Sequence, residues 1–228
     1  MLRMSMNEQP GQALRHMLLE RLVHYYHFLS DRSEQASGAT VTSMEIAALV
    51  NMDDTLVRKD LAEIGVRGLP RVGFRVAEVV GAIRELLDFD RKTRAVIVGM
   101  GRLGSAFASY AGFGRYGLEV CGLFDNDPMK VGLMTNGLVV LPVNRLPLVV
   151  GGKGIGIAMI TVPQEAAQEV ADLAVSAGIQ AIWNFAGAKI SVPDTVFVRH
   201  EHIAVGLAEL RYNLRRLQAH DSSRGSGS

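Results

Sequence analysis

The residues of this 228-residue chain with the clearest chemistry form a short glycine-rich run, Gly99–Met100–Gly101–Arg102–Leu103–Gly104. A G-x-G-x-x-G turn has a mechanism. Gly99 permits a tight turn, Gly101 lets the backbone approach a pyrophosphate, and Gly104 lets the following helix pack closely on the strand before it. The N-terminus of that helix then presents unpaired N–H groups to phosphate oxygens. An apolar run at Arg94–Val98 precedes the turn, and Leu103, Ala106, Phe107 and Tyr110 follow at helical spacing. A second apolar run, Leu118–Phe124, ends at Asp125, 26 residues after Gly99. A carboxylate there accepts hydrogen bonds from ribose hydroxyls and repels a 2′-phosphate, which favours NAD(H) over NADP(H). A glycine-rich turn that binds nothing, another nucleotide, or a CoA-type ligand remain open on these residues alone. Hydride-transfer chemistry finds no support. There is no Tyr-x-x-x-Lys pair, because Leu29, Ser30, Gly114, Val120 and Arg216 stand four residues after the five tyrosines. The sheet-forming region of about 110 residues leaves no further domain to hold a substrate. A cofactor site without a catalytic domain reads as a sensor rather than an enzyme.

A second group of residues suits nucleic acid. From about Asp54 to Ile64 the spacing of Val57, Leu61 and Ile64 predicts a helix with an apolar inner side, which turns Thr55, Arg58, Lys59 and Ala62 outward. A capped helix and a short turn precede it, as in a helix-turn-helix reader. Arg58 suits a guanine edge, and Lys59 a phosphate or a base. Arg67, Arg71 and Arg75 then form a basic wing. Residues 58–75 hold five basic and two acidic side chains, although the whole chain carries a net charge of only +1. That balance excludes a broad basic coat and leaves a local patch. A solvated charged helix is the plainer reading of the same residues.

The elements that would position these groups follow from periodicity. Leu14, Met17, Leu18, Leu22, Tyr25 and Leu29 predict a helix over 12–30, and the polar stretch 31–40 reads as a loop. Thr42 and Glu45 have the spacing of a capping box. Phe74–Leu87 reads as helical. Strands are expected at 94–98, 118–124, 155–162, 179–185 and 196–198, with a helix near Gln164–Ala177. This alternation predicts an α/β fold with a parallel sheet. Ile203, Leu207, Leu210, Leu214 and Leu217 stripe a last helix. The expected domains are 1–88 for DNA binding, 89–199 for the nucleotide and 200–218 for dimerisation, with a disordered tail over 219–228. Hydrophobic residues make up 48% of the chain and charged residues 21%, ordinary values for a globular protein. A single cysteine, Cys121, excludes an intrachain disulfide and fits a reducing compartment. It reads as a buried apolar thiol, and Trp183 as core or pocket wall. The first dozen residues have no apolar signal core, and no run reaches about 18 apolar residues, so a cytoplasmic location and no membrane partner are expected.

The joint pattern resembles the redox-sensing transcriptional repressors of the Rex family. VRKDL at 57–61, VGMGRLG at 98–104, Tyr110 with GFGRYG at 112–117, FDNDPMKVG at 124–132, TVPQEAAQEVAD at 161–172 and Asn184–Phe185–Ala186 carry the resemblance. It implies an N-terminal winged helix, a Rossmann-type doubly wound domain, and a homodimer in which the last helix swaps onto its partner. It also implies binding to palindromic operator DNA, with NADH releasing the DNA and NAD⁺ favouring binding. Carried over residue by residue, it adds Tyr110, Thr161, Val162, Pro163, Asn184 and Phe185 to the cofactor surroundings. It also places Tyr110, His27, His202 and Ile203 at the seam that couples ligand to dimer shape. In the family an arginine, an aspartate and a phenylalanine usually stand where this chain has His27, His202 and Ile203. The family's wing, rich in Lys-Arg-Gly, is here Leu69–Pro70–Arg71, with Phe74 for the usual tyrosine. No metal is expected, although His24, His27, His200 and His202 offer an alternative as a metal or proton switch. A regulator that holds NAD⁺ or another adenine nucleotide structurally is a further alternative.

Overall fold

The computed structural model describes residues 10–35 and 38–225, and the side chains of 17–33 and 38–218. The chain forms two compact units, Met1–Arg91 and Lys92–Ser228.

In the first unit α1 (Pro10–Gln35) is followed by β1 (Thr40–Val41), α2 (Ser43–Val50), α3 (Asp54–Glu63), β2 (Phe74–Arg75) and α4 (Val76–Leu86). α1 runs through the first half of the stretch expected to be a loop, to Gln35. α4 begins only after β2, not at Phe74. The side chain of Thr42 accepts from the Glu45 N–H while Glu45 accepts from the Thr42 N–H at 2.7 Å, so the capping box is complete. Asn51 ends α2 in the left-handed region, and Asp53 caps α3 by accepting from the Thr55 N–H at 2.8 Å. That leaves a three-residue turn between two helices. Leu22, Tyr25 and Leu29 of α1 are buried, as are Ile46, Val57, Leu61, Val79 and Ile83. β1 and β2 pair antiparallel, and the hairpin closed by the Leu69–Gly73 bridge leads into β2. Gly73 is required there, since a Cβ would lie 2.5 Å from the Val41 carbonyl oxygen. A helix-turn-helix followed by a β-wing is a winged helix.

The second unit contains β3 (Thr93–Val98), α5 (Arg102–Ala108), β4 (Leu118–Asp125), β5 (Met134–Thr135), β6 (Leu138–Pro142), α6 (Leu146–Val150), β7 (Ile155–Ile160), α7 (Ala167–Ser176), β8 (Ala181–Asn184), β9 (Phe197–His200) and α8 (Ile203–Gly225). The sheet order is β5-β6-β4-β3-β7-β8-β9, parallel except for β5. The six parallel strands, numbered among themselves, run 3-2-1-4-5-6, the order of a dinucleotide-binding doubly wound sheet. Alternate side chains of β3 bury on opposite faces. Val96 and Val98 join α6 and α7 on one face, and Ile97 joins Ala108 of α5 on the other. The 134–142 hairpin and α6 were not expected, so the strand at 155 is fourth in the order rather than third. Several strands are shorter than their apolar runs, and the last lies two residues beyond Val198. Tyr110 falls after α5 ends. α8 is helical through Gly225, where a tail was expected from 219, and residues 226–228 lie outside the described residues.

Candidate functional site

A cavity of about 1170 Å³ opens at the carboxyl ends of β3, β4, β6 and β7. It lies at the point where the strand order reverses, the place ligands occupy in open α/β sheets. Its floor is the glycine turn. Gly99 has φ +101°, and a Cβ on it would meet Thr161 and Val162 at 2.8 Å. A Cβ on Gly104 would lie 1.9 Å from the Gly99 carbonyl oxygen. Gly101 has nothing within 4 Å of that position. Two of the three glycines are therefore demanded by the protein's own backbone, and the third faces open space.

Both neighbouring strands hold the turn. From β4, Asp125 accepts from the Met100 N–H at 2.6 Å and from the Asp127 N–H at 2.8 Å. Following β7, the Thr161 hydroxyl sits 2.6 Å from the Gly99 carbonyl oxygen and 3.1 Å from that of Val98. The Lys130 ammonium lies 3.2 Å from Asp125 and 3.6 Å from Asp127. Burial works against charge on Asp125, but the N–H groups of Asp127 and Met100 and the Lys130 ammonium hold its carboxyl below the usual range. Asp125 thus stays ionised near neutrality with part of its accepting capacity already spent on the turn it faces.

Of the expected cofactor residues, Gly99, Gly101, Arg102, Leu103, Asp125, Thr161, Val162 and Pro163 line the cavity. Met100 and Gly104 are buried beside it, the Met100 side chain in the core with Ile97 and Met159. Three residues do not reach it. Tyr110 is 56% exposed and packs edge-on against Phe113. Asn184 is 1% exposed and folds its amide inward, donating to the Ala188 carbonyl at 2.7 Å and accepting from the Ala186 N–H at 3.0 Å. Phe185 joins Phe107 and Trp183 in an aromatic cluster. Asp127, Lys130, Val143 and Asn144 complete one wall, and Val170 and Leu173 of α7 the other. Sequence reasoning missed these residues, although Lys130 stands within the quoted FDNDPMKVG run.

His200 lies 3.0 Å from the Asn184 amide nitrogen, so its Nδ1 is the acceptor and the ring is neutral. Burial, then His202 and Lys189, push its imidazole below the ordinary value. The His200 and His202 rings stack at 6.2 Å. His24 and His27 are exposed on α1, in the other unit. Among the described residues no three His, Cys, Asp or Glu side chains gather as a metal site.

In the first unit α3 presents Thr55, Arg58, Lys59 and Ala62 to solvent, and Arg67 and Arg71 stand exposed on the wing. Arg71 has φ +61°. Arg58 is held by Asp54 at 2.7 Å and donates to the Ser43 hydroxyl at 3.3 Å. Such an exposed pair is worth only about 0.3–0.5 kcal/mol, so it orients the guanidinium without locking it. The inner side of α3 holds a buried carboxylate that the charge count does not anticipate. Asp60 accepts from Arg21 Nε and Nη2 at 2.6 and 2.7 Å and from the Tyr25 hydroxyl at 2.8 Å.

The chain matches two families of known proteins, one described as CoA binding domain over residues 90–188 and one as Putative DNA-binding protein N-terminus over 17–62. It is 40% identical to a redox-sensing transcriptional repressor Rex of Desulfitobacterium hafniense, over 85% of this chain and 92% of the relative. It is 42% identical to the protein of that name from Thermus thermophilus, over 85% and 90%. Among solved structures it is similar to that of RSP in complex with β-NAD⁺ and operator DNA, with a TM-score of 0.81 and 28% identity over 93% of this chain and 98% of that one. The structure of RSP with β-NADH gives 0.80 and 27%, over 91% and 97%.

Proposed function

Because the chain belongs to the Rex family of redox-sensing transcriptional repressors, we propose that it is a homodimeric, cytoplasmic DNA-binding repressor that responds to the NADH/NAD⁺ ratio, NADH releasing operator DNA. One observation carries the reading. The glycine turn has no room for side chains at 99 and 104, yet it leaves Gly101 open under a nucleotide-sized cavity bounded by an ionised Asp125.

In this reading Gly101 and the backbone of Arg102 and Leu103 approach the pyrophosphate. Asp125 meets the adenosine ribose, and Val143 and Val170 flank the adenine. Thr161, Val162 and Pro163 border the ligand on the β7 side. Bound NAD(H) supplies a difference of charge and ring planarity between its two forms rather than a reaction. A ligand shifts a two-state protein only by binding one state better than the other, so the seam at His27, Tyr110, His202 and Ile203 must differ between the two dimer shapes. The reading is non-enzymatic, and it is supported by Asp125 being engaged by Lys130 and by the Met100 and Asp127 N–H groups, which suits it to holding the turn rather than moving a proton. The dimer is supported by α8. Its side chains from 203 to 218 are exposed, with Ile203 at 82% and Leu210 at 71%, and an apolar stripe of that size is stable in water only when covered. A two-fold dimer would carry two α3 helices, Arg58 and Lys59 toward bases and Arg67 and Arg71 toward phosphates or the minor groove.

The test is an electrophoretic shift of a duplex that the protein itself selects from a random-sequence library, with NAD⁺ and NADH at matched concentration. Release by NADH alone is expected. Equal effects of the two would refute redox sensing and leave the nucleotide a structural role. Turnover of NADH without a partner protein would refute the non-enzymatic reading. Zinc titration of the same protein tests the histidine alternative, with no binding expected.

A further inference from the structure

We infer that the buried Arg21–Tyr25–Asp60 network is a positioning device that fixes the rotation of α3 from α1, so that operator selectivity depends on α1 as well as on the helix that meets the bases. This rests on the DNA-reading role proposed for α3.

Asp60 follows Arg58 and Lys59 directly but points inward, its side chain 5% exposed. Its neighbours on that inner side, Val57 and Leu61, are fully buried. An apolar residue at 60 facing an apolar one at 21 would pack at least as well, because replacing a buried ion pair with hydrophobic residues of similar volume is often neutral or stabilising. Stability therefore gives no reason for charge here. Direction does. Apolar side chains tolerate small slides and rotations of one helix on another. A guanidinium fork on both carboxylate oxygens has one geometry, and the Tyr25 hydroxyl adds a third fixed bond. Burial and the adjoining Asp60 also push the Tyr25 phenol well above its ordinary range, so it remains a donor at every working pH.

The outer face of α3 needs that precision. A rotation of about 20° moves a side-chain tip about 6 Å from the helix axis by roughly 2 Å. A hydrogen bond to a base edge does not survive such a displacement, whereas attraction to the phosphates hardly changes. A loosened network should thus cost selectivity and spare non-specific affinity.

The experiment replaces the network as a unit, Arg21→Met, Tyr25→Phe and Asp60→Leu together. It measures binding to a duplex selected by the wild-type protein and to a scrambled duplex of the same length. The expected result is a melting temperature close to wild type, selected-duplex affinity at least tenfold weaker, and scrambled-duplex affinity within about twofold. A network that only supported folding would lower both affinities in proportion to the folded fraction. An unchanged ratio in a folded triple variant overturns the inference. Should the triple variant fold poorly, Tyr25→Phe alone carries the test. It keeps the ring and removes one hydrogen bond, and a two- to threefold fall in the ratio is expected, an unchanged ratio again overturning the inference. Wild-type protein that selects no duplex at all overturns the DNA-reading role and the inference with it. Selection by the wild type with unchanged ratios in the variants overturns the inference alone.

Discussion

Substituting Gly104 and Gly101 by alanine separates what the fold demands from what a ligand demands. At Gly104 the added Cβ lies 1.9 Å from the Gly99 carbonyl oxygen and 2.9 Å from the Thr161 hydroxyl. A tolerable contact needs more than 3 Å, so the turn must move by over 1 Å. That movement strains the backbone by about 1–3 kcal/mol. It also pulls Gly99 from the Thr161 hydroxyl, a further loss of about 1 kcal/mol. Gly104→Ala should therefore cost about 2–4 kcal/mol and lower Tm by roughly 10 °C for a unit of this size. At Gly101 the backbone is already extended, with φ −75°, and nothing lies within 4 Å. Gly101→Ala should leave Tm within about 2 °C, since the small entropic gain of alanine offsets its weakness as a helix cap. Yet its methyl projects where a pyrophosphate would rest against the backbone, so NADH affinity should fall at least tenfold. Calorimetric unfolding read beside NADH fluorescence titration decides the matter. Wild-type NADH affinity in a folded Gly101→Ala protein would refute the placement of the pyrophosphate, and an unshifted Tm in Gly104→Ala would refute the packing argument.

Other expectations follow from the same geometry. Arg58→Ala should weaken selected-duplex binding ten- to a hundredfold, the value of about 1–3 kcal/mol for one bidentate base contact, and leave NADH affinity alone; a parallel loss of both would show that α3 is not the reader. Leu210→Glu with Leu214→Glu places two charges on the apolar stripe of α8, and sedimentation should then report monomer where the wild type sediments as a dimer. His200 is held neutral below its unfolded pKa, so the stability it lends is present above about pH 6.5 and is lost as pH falls through the lower folded value. Tm should thus decline as pH falls below about 6.5, and His200→Asn should flatten that decline. An equal decline in the variant would place the titrating group elsewhere.

The parts of the site legible in the sequence are those whose requirement is local. Gly99 and Gly104 are forced by atoms of their own turn and of the next strand, and Asp125 stands at a strand end that apolar periodicity locates. The α7 wall was not legible, because Val170 and Leu173 read as an ordinary apolar stripe and reach the cavity over the glycine turn only through the crossover. Asn184 misled for the opposite reason. A polar residue at a strand end looks available to a ligand, but its amide satisfies a neighbouring carbonyl and N–H within the loop that follows. The β5–β6 hairpin left one unused signal, Asn136–Gly137, both with positive φ, the dipeptide that favours two-residue hairpins. Strands of two and five residues among glycines offer little alternation to detect. α1 outran its expected end because periodicity weakens over its polar last turns.

The buried carboxylate also changes the electrostatic argument about DNA. Residues 58–75 count five basic and two acidic side chains, but Asp60 is neutralised inside by Arg21 and offers nothing to solvent. The outward balance of that stretch is therefore five cations against Glu63. Asp54 and Glu78 flank it, each in an exposed ion pair that a phosphate can displace. The first 80 residues as a whole hold nine basic and ten acidic side chains, so no long-range field draws this unit to DNA. Affinity must come from short-range contacts that are correct in position, and two aligned copies multiply them. Correct position is what the network beneath α3 supplies, and the proposed change in dimer shape would remove it. A repressor with a weak field and precise contacts lets go of its operator after a small displacement, whereas a strongly basic one would remain on the phosphates.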